Sequence, residues 1–156
     1  FTGESTSGTP FTQIADLCTE KAMEFNYMVL GIQKMTNTKS LFQRAQDLGV
    51  GVIERDEMVM ANLTALSKRI ENFLRHQDQV YVTICLDAFS ARVAPGVSAP
   101  SVDGIPLDSF FTLLSEILKS GKVSCLDVAE LSPPFDPDGR TAKLAAKIIF
   151  EMVQGL

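Results

Sequence analysis

Apolar positions along the chain switch between two spacings: short continuous runs that suit a buried strand, and stripes that suit one face of a helix. Thr9-Pro10 reads as a helix start, because the missing proline N–H costs nothing in a first turn. Ile14, Leu17, Cys18 and Ala22 continue it at helical spacing. Tyr27 to Ile32 is an apolar run of the kind a buried parallel strand shows. Asn37 to Leu48 predicts a second helix closed by Gly49, and Val50 to Glu54 a second strand. Leu63, Leu66, Ile70, Phe73 and Leu74 form the next stripe, with Lys68, Arg69 and Glu71 on the other side. Val80 to Leu86 predicts a third strand. Phe110, Leu113, Leu114, Ile117 and Leu118 mark a helix ended by Ser120-Gly121, and Val123 to Leu131 a fourth strand. Thr141 to Val153 closes the series as a helix buried along Leu144, Ala145, Ile148, Ile149 and Met152.

Strands that alternate with helices imply parallel β-α-β units with right-handed crossovers. The expected fold class is therefore α/β: a three-layer α/β/α, doubly wound, mostly parallel sheet. Two loops, Phe89 to Ile105 and Ser132 to Gly139, follow strands. They fall on the sheet edge where open α/β folds bind ligands.

The 156 residues, 46% of them hydrophobic, are enough for one domain with a real core, and no internal repeat or boundary divides them. Nineteen acidic against fourteen basic residues give a net charge of −5, and no Lys/Arg cluster offsets it, so a nucleic-acid partner is not expected. No apolar run has the length of a membrane span. Cys18, Cys85 and Cys125 are odd in number and none is spaced as CxxC, which points to a reducing cytoplasm rather than to disulfides. The chain opens on Phe1, so its natural start is expected upstream.

Candidate chemistry concentrates after the third and fourth strands. Asp87 ends the third and opens the run Ala88 to Pro100, so a ligand there would meet a carboxylate on a rigid strand; a turn cap is the plainer role. Cys85 lies two residues earlier, on the same face of an extended strand. Glu130 ends the fourth strand; Asp127, three residues before it, points to the other face and reads as structural. Ser7-Gly8-Thr9-Pro10-Phe11 opens the first helix, where hydroxyls and free N–H groups receive anions or simply cap. His76, the lone histidine, sits at a helix end where a cation suits the dipole, which leaves no Ser-His-Asp triad in view.

The stretch Leu86-Asp87 followed by Ala94-Pro95-Gly96-Val97-Ser98-Ala99-Pro100 resembles the second metal-binding motif of the ureohydrolases, the arginase and agmatinase superfamily. With the Ser7 to Phe11 motif, the Asn37-Thr38 pair, and Asp127 to Leu131 followed by Asp138 to Ala142, it looks most like the formimidoylglutamase branch, from Ser7 to about Val153. The resemblance implies an arginase-like fold and a pair of manganese ions (Mn2+) that activates water. Asp87 matches the second aspartate of a D-x-D ligand pair, and Cys85 takes the place of the first. Three readings of Cys85 stand open: a thiolate ligand, a weak or missing second metal, or a small core residue. Glu130 matches the glutamate of E-x-N-P that pairs with the cationic end of the substrate, with Ser132 in place of the asparagine. Ser7, Gly8 and Thr9 match the loop that takes substrate carboxylates, without the proton-shuttling histidine arginases carry there.

The family's GGGHE and D-A-H-x-D motifs are absent. Residues 1–156 are thus expected to form the C-terminal part of a single ureohydrolase-like domain, inactive alone and with part of a sheet edge exposed. The implied activity is hydrolysis of N-formimidoyl-L-glutamate to L-glutamate and formamide in histidine degradation, with a small-molecule substrate, in a cytoplasmic homo-oligomer. The alternatives are another ureohydrolase, of agmatinase or arginase type, and a non-catalytic α/β binding module whose metal site is lost, which Cys85 motivates.

Overall fold

Two parallel ladders carry the architecture in a computed structural model that describes residues 9–155. Strand β1 (Met28–Ile32) pairs with β2 (Gly51–Glu54), and β3 (Val80–Cys85) with β4 (Val123–Ala129). Helix α1 (Pro10–Glu20) precedes them; α2 (Lys39–Asp47) and α4 (Leu107–Lys119) are the crossovers within the two pairs, α3 (Leu63–Arg75) leads from one pair to the other, and α5 (Arg140–Gly155) follows. The expected alternation is present throughout. Among the described residues no ladder joins the two pairs, so each keeps unpaired edges.

Local chemistry explains the element ends. Thr38 caps α2 by accepting from the Leu41 N–H, and Gly49 closes it at φ +66°, a conformation that costs glycine little. His76 is the C-cap of α3, as read from the sequence. Between β2 and α3 the chain makes two short 3-10 turns, Arg55–Glu57 and Met60–Asn62, the first fixed by reciprocal side-chain bonds of Glu54 and Glu57. Gly31 at φ +84° makes a bulge in β1, and the Ile105 side chain packs where any side chain at 31 would stand.

Three sequence expectations need correction. The third strand stops at Cys85, and Leu86–Ala88 is a 3-10 turn, so Asp87 stands just beyond the strand. Leu86 is completely buried, and sinking it into the core bends the chain there. The fourth strand stops at Ala129, because Glu130 takes a left-handed φ of +72°. In α5, Ile149 is half exposed; the buried stripe is Thr141, Leu144, Ala145, Ile148 and Met152.

The core runs through both pairs. Ile53 of β2 and Ile84 of β3 pack in one cluster with Leu66, Ile70 and Leu74 of α3, Leu113, Leu114 and Leu118 of α4, and the α5 stripe. Phe89, fully buried at the head of the long loop, meets Phe110 edge-to-face at 4.9 Å and pins that loop to α4. Phe89→Ala should therefore cost about 3–5 kcal/mol of stability, read by urea denaturation; a loss below about 1 kcal/mol would show that the loop is not anchored through this ring.

Candidate active site

Parallel strands place all their carboxyl ends on one edge, and the long loop after β3 ties the two ladders together there. Its residues pair with one another at Ser90 and Ser101, and Ile105 N–H donates to Ala88 O at 2.9 Å. The loop then reaches across. Gln33, just past β1, donates to Asp103 O at 3.0 Å, and Arg55, just past β2, donates to Gly104 O at 3.0 Å and pairs with Asp103 at 2.5 Å. A shallow cavity of about 270 Å³ opens beside these contacts. Its cations are engaged: Lys34 pairs with Glu54 at 2.7 Å, and Arg55 with Asp103. A larger hollow of about 550 Å³ lies between α3 and α4 near Arg75 and Lys122, at the opposite end of the strands.

Asp87, Cys85 and Glu130 come together at the carboxyl ends of β3 and β4. Register sets this, since Cys85 is the partner of Ala129 and the carboxylates follow at once on both strands. Burial first, and then the charge of Glu130, hold the Asp87 carboxyl above the usual carboxylate range. The Cys85 thiol is pushed up to about 11, chiefly by burial and then by the charges of Asp87, Glu130 and Asp127. No ion pair reaches Asp87 or Glu130 among the described residues. Ser98, in the long loop, donates to Glu130 Oε2 at 3.3 Å.

Beneath this group, Thr83 Oγ1 donates to Asp127 Oδ1 at 2.5 Å and the Tyr81 hydroxyl donates to the other oxygen. Asp127 is thus held by two hydroxyls, which fits the structural role read for it. Its separation from Glu130 by strand alternation does not hold, because the left-handed turn at Glu130 leaves both carboxylates acting on Cys85. Tyr27 also approaches: burial, then the Cys85 charge, raise its phenol to about 12, and its ring stacks on Phe11 of α1 at 4.5 Å. Thr9 is buried as the N-cap of α1, while Ser7 and Gly8 lie outside the described residues. Sequence reasoning missed Tyr27, Thr83 and Ser98; only Ser98 had a signal, as part of the quoted proline-bounded run.

A half-buried carboxylate with a second one beside it and no cation partner is chemically suited to a bound cation. Asp87 fits that role. Cys85 fits a hard cation poorly, being soft and protonated at neutral pH. Among the described residues no three His, Cys, Asp or Glu side chains form a group that could hold a metal ion, so these residues offer part of a donor set. No described helix is long and apolar enough to cross a membrane.

Comparison with known proteins adds to this geometry. The family described as the Arginase family matches residues 2–154. A formimidoylglutamase of Ralstonia nicotianae is 45% identical over 150 residues, which are 96% of this chain and 46% of that protein. The chain spans about half the length of the curated relatives it matches. The crystal structure of formimidoylglutamase from Bacillus subtilis superposes with a TM-score of 0.87 at 21% identity, over 99% of this chain and 48% of that one. Proclavaminate amidino hydrolase from Streptomyces clavuligerus gives 0.83 at 28% identity, over 99% of this chain and 50% of that one. The arginase-like α/β fold expected from the sequence is therefore present.

The electrostatics at Asp87 predict an unusual stability profile. A folded-state carboxyl value above the unfolded one means that the native state binds the extra proton, so this group's contribution falls as pH rises from the ordinary carboxylate range through the raised value. Asp87→Asn in metal-free protein should then be more stable than wild type at pH 7, with the gain shrinking as pH is lowered towards 4. Urea denaturation across that range measures it, and a variant less stable at pH 7 would make Asp87 a structural cap instead.

Proposed function

The chain belongs to the arginase family, and from that premise we propose that the protein hydrolyses N-formimidoyl-L-glutamate to L-glutamate and formamide, a step of histidine degradation. Residues 1–156 would form the C-terminal part of one ureohydrolase-like domain, completed by sequence the curated relatives have beyond it. The observation that carries the reading is the meeting of Asp87, Cys85 and Glu130 at one sheet edge, bordered by the long loop. The 45% identity to a protein named formimidoylglutamase supports the choice of substrate.

Each residue has a stated task. Glu130 accepts two N–H groups of the substrate's amidinium, a charge-assisted pair that fixes the carbon to be attacked and balances its charge. Thr9, at the start of α1, and Ser7 and Gly8, which precede it in the sequence, receive a carboxylate of the glutamate moiety through hydroxyl and backbone N–H donors. Asp87 holds a cation, for which the family's manganese is the candidate, with Cys85 as a soft second donor. Such an ion, when bound, supplies Lewis-acid activation of water. The substrate is a small molecule, and a cytoplasmic homo-oligomer is part of the same proposal. The second reading, a non-catalytic binding module, rests on Cys85, which puts a soft atom where a hard one would serve a metal pair better.

Two experiments on the full-length protein decide the matter. Glu130→Gln should lower kcat/KM for formimidoylglutamate by the equivalent of about 2–4 kcal/mol with the melting temperature unchanged. Near-normal kinetics would remove Glu130 from substrate binding. Cys85→Asp should tighten manganese binding and raise the metal content from one ion towards two, as read by titration and elemental analysis. No change in either would make Cys85 a core residue, and no hydrolysis in the wild type would favour the binding module.

A further inference from the structure

Glu130 is the one described non-glycine residue with a left-handed backbone at this edge, at φ +72°. Such a conformation persists only where its surroundings over-determine it. On one side Ala129 is fixed in the ladder against Cys85. On the other, Ser132 N–H donates to Gly96 O at 2.8 Å, so the loop after β4 is tied to the loop after β3.

Gly96 itself is held from below. Its N–H donates to Thr141 Oγ1 at 2.7 Å inside the protein, and Thr141 has no exposed surface. Thr141 N–H and Ala142 N–H each donate to the buried Asp136 carboxylate at 2.9 Å. A side chain at position 96 would collide with Asp136 and come within 2.9 Å of Thr141 Oγ1, so only glycine fits. Arg140 adds a bond to Arg92 O at 2.9 Å from the same helix start. The loop that is gripped in this way ends at Ser98, whose hydroxyl meets Glu130 Oε2.

We propose that the Asp136–Thr141–Gly96 junction is a positioning device for the Glu130 carboxylate, with Ser98 as its last link: the start of α5 fixes the 94–98 loop, and the loop fixes the rotamer of Glu130. The inference rests on the reading that Glu130 meets the substrate cation. Ser98, Gly96, Thr141 and Asp136 are positioning residues; none of them is assigned contact with the reacting atoms.

The test uses the full-length protein and formimidoylglutamate. Ser98 is exposed, so Ser98→Ala should leave the melting temperature unchanged while lowering kcat/KM about tenfold, the size expected for one hydrogen bond to a charged group. Ser98→Thr, which keeps the hydroxyl, should return to within about threefold of wild type. In a Glu130→Gln background, Ser98→Ala should cost nothing further, because the two residues act as one unit. Thr141→Val, which orphans the Gly96 N–H, should lower kcat/KM in the same way, and the Ser98 pair keeps the test decisive if that variant is too unstable to assay. Wild-type hydrolysis with an unaffected Ser98→Ala, or a full additional loss in the Glu130→Gln background, would overturn the positioning role alone. A wild type that does not hydrolyse formimidoylglutamate would overturn the functional reading and this inference with it.

Discussion

The register of one parallel ladder decides where the chemistry of this chain lies. With Thr83 opposite Asp127 and Cys85 opposite Ala129, the last paired residues of β3 and β4 stand side by side, and each strand continues into a carboxylate within two residues. A slip of the ladder would carry Asp87 and Glu130 apart along the strands by about 3.3 Å per residue and dissolve the pair. The core enforces the register: Ile84 on β3 and Leu86 just past it, and Leu126 and Val128 on β4, pack in the cluster formed with α3, α4 and α5. The helices thus help hold the site together through the core they share with both strands.

The residues at the edge contribute little to that stability. Asp87 is half-buried beside Glu130 without a countercharge, which raises its proton affinity and weakens the fold at neutral pH. Glu130 adds a left-handed backbone, a conformation that costs an ordinary residue about 1–2 kcal/mol. Both are unfavourable for folding and useful to a site that must meet cations. A fold selected for stability alone would neutralise the first and place glycine at the second.

Much of this was legible in the sequence, and the failures have physical causes. The stripes in α3 and α4 and the apolar runs of β3 and β4 gave the elements, because burial on one face or two leaves a period that survives in the chain. Gly49 and Gly121 gave stops, because glycine marks a left-handed turn. Glu130 makes the same kind of turn without glycine, so no local signal announced it, and the strand was read two residues too long. Asp87 was set on the strand because alternation does not show that Leu86 must be swallowed by the core. Ser98 and Glu130 are 32 positions apart, joined loop to loop, and no periodicity records such a contact. Strand order was equally silent: the pattern announces four strands but not that they pair two by two.

Cys85 is where stability and chemistry pull in opposite directions. Half-buried and surrounded by Asp87, Glu130 and Asp127, it holds its proton to about 11 and so stays neutral. A carboxylate in its place would add a further negative charge beside the others, in surroundings already short of solvent. The thiol therefore relieves repulsion in the metal-free chain and makes this edge easier to fold. The same relief lowers the negative potential a divalent cation would feel and replaces a hard oxygen with a soft sulfur. One substitution thus moves the edge along a single axis, from strained and strongly cation-seeking to calmer and weakly so. The two readings of this chain, hydrolase and binding module, are the two ends of that axis.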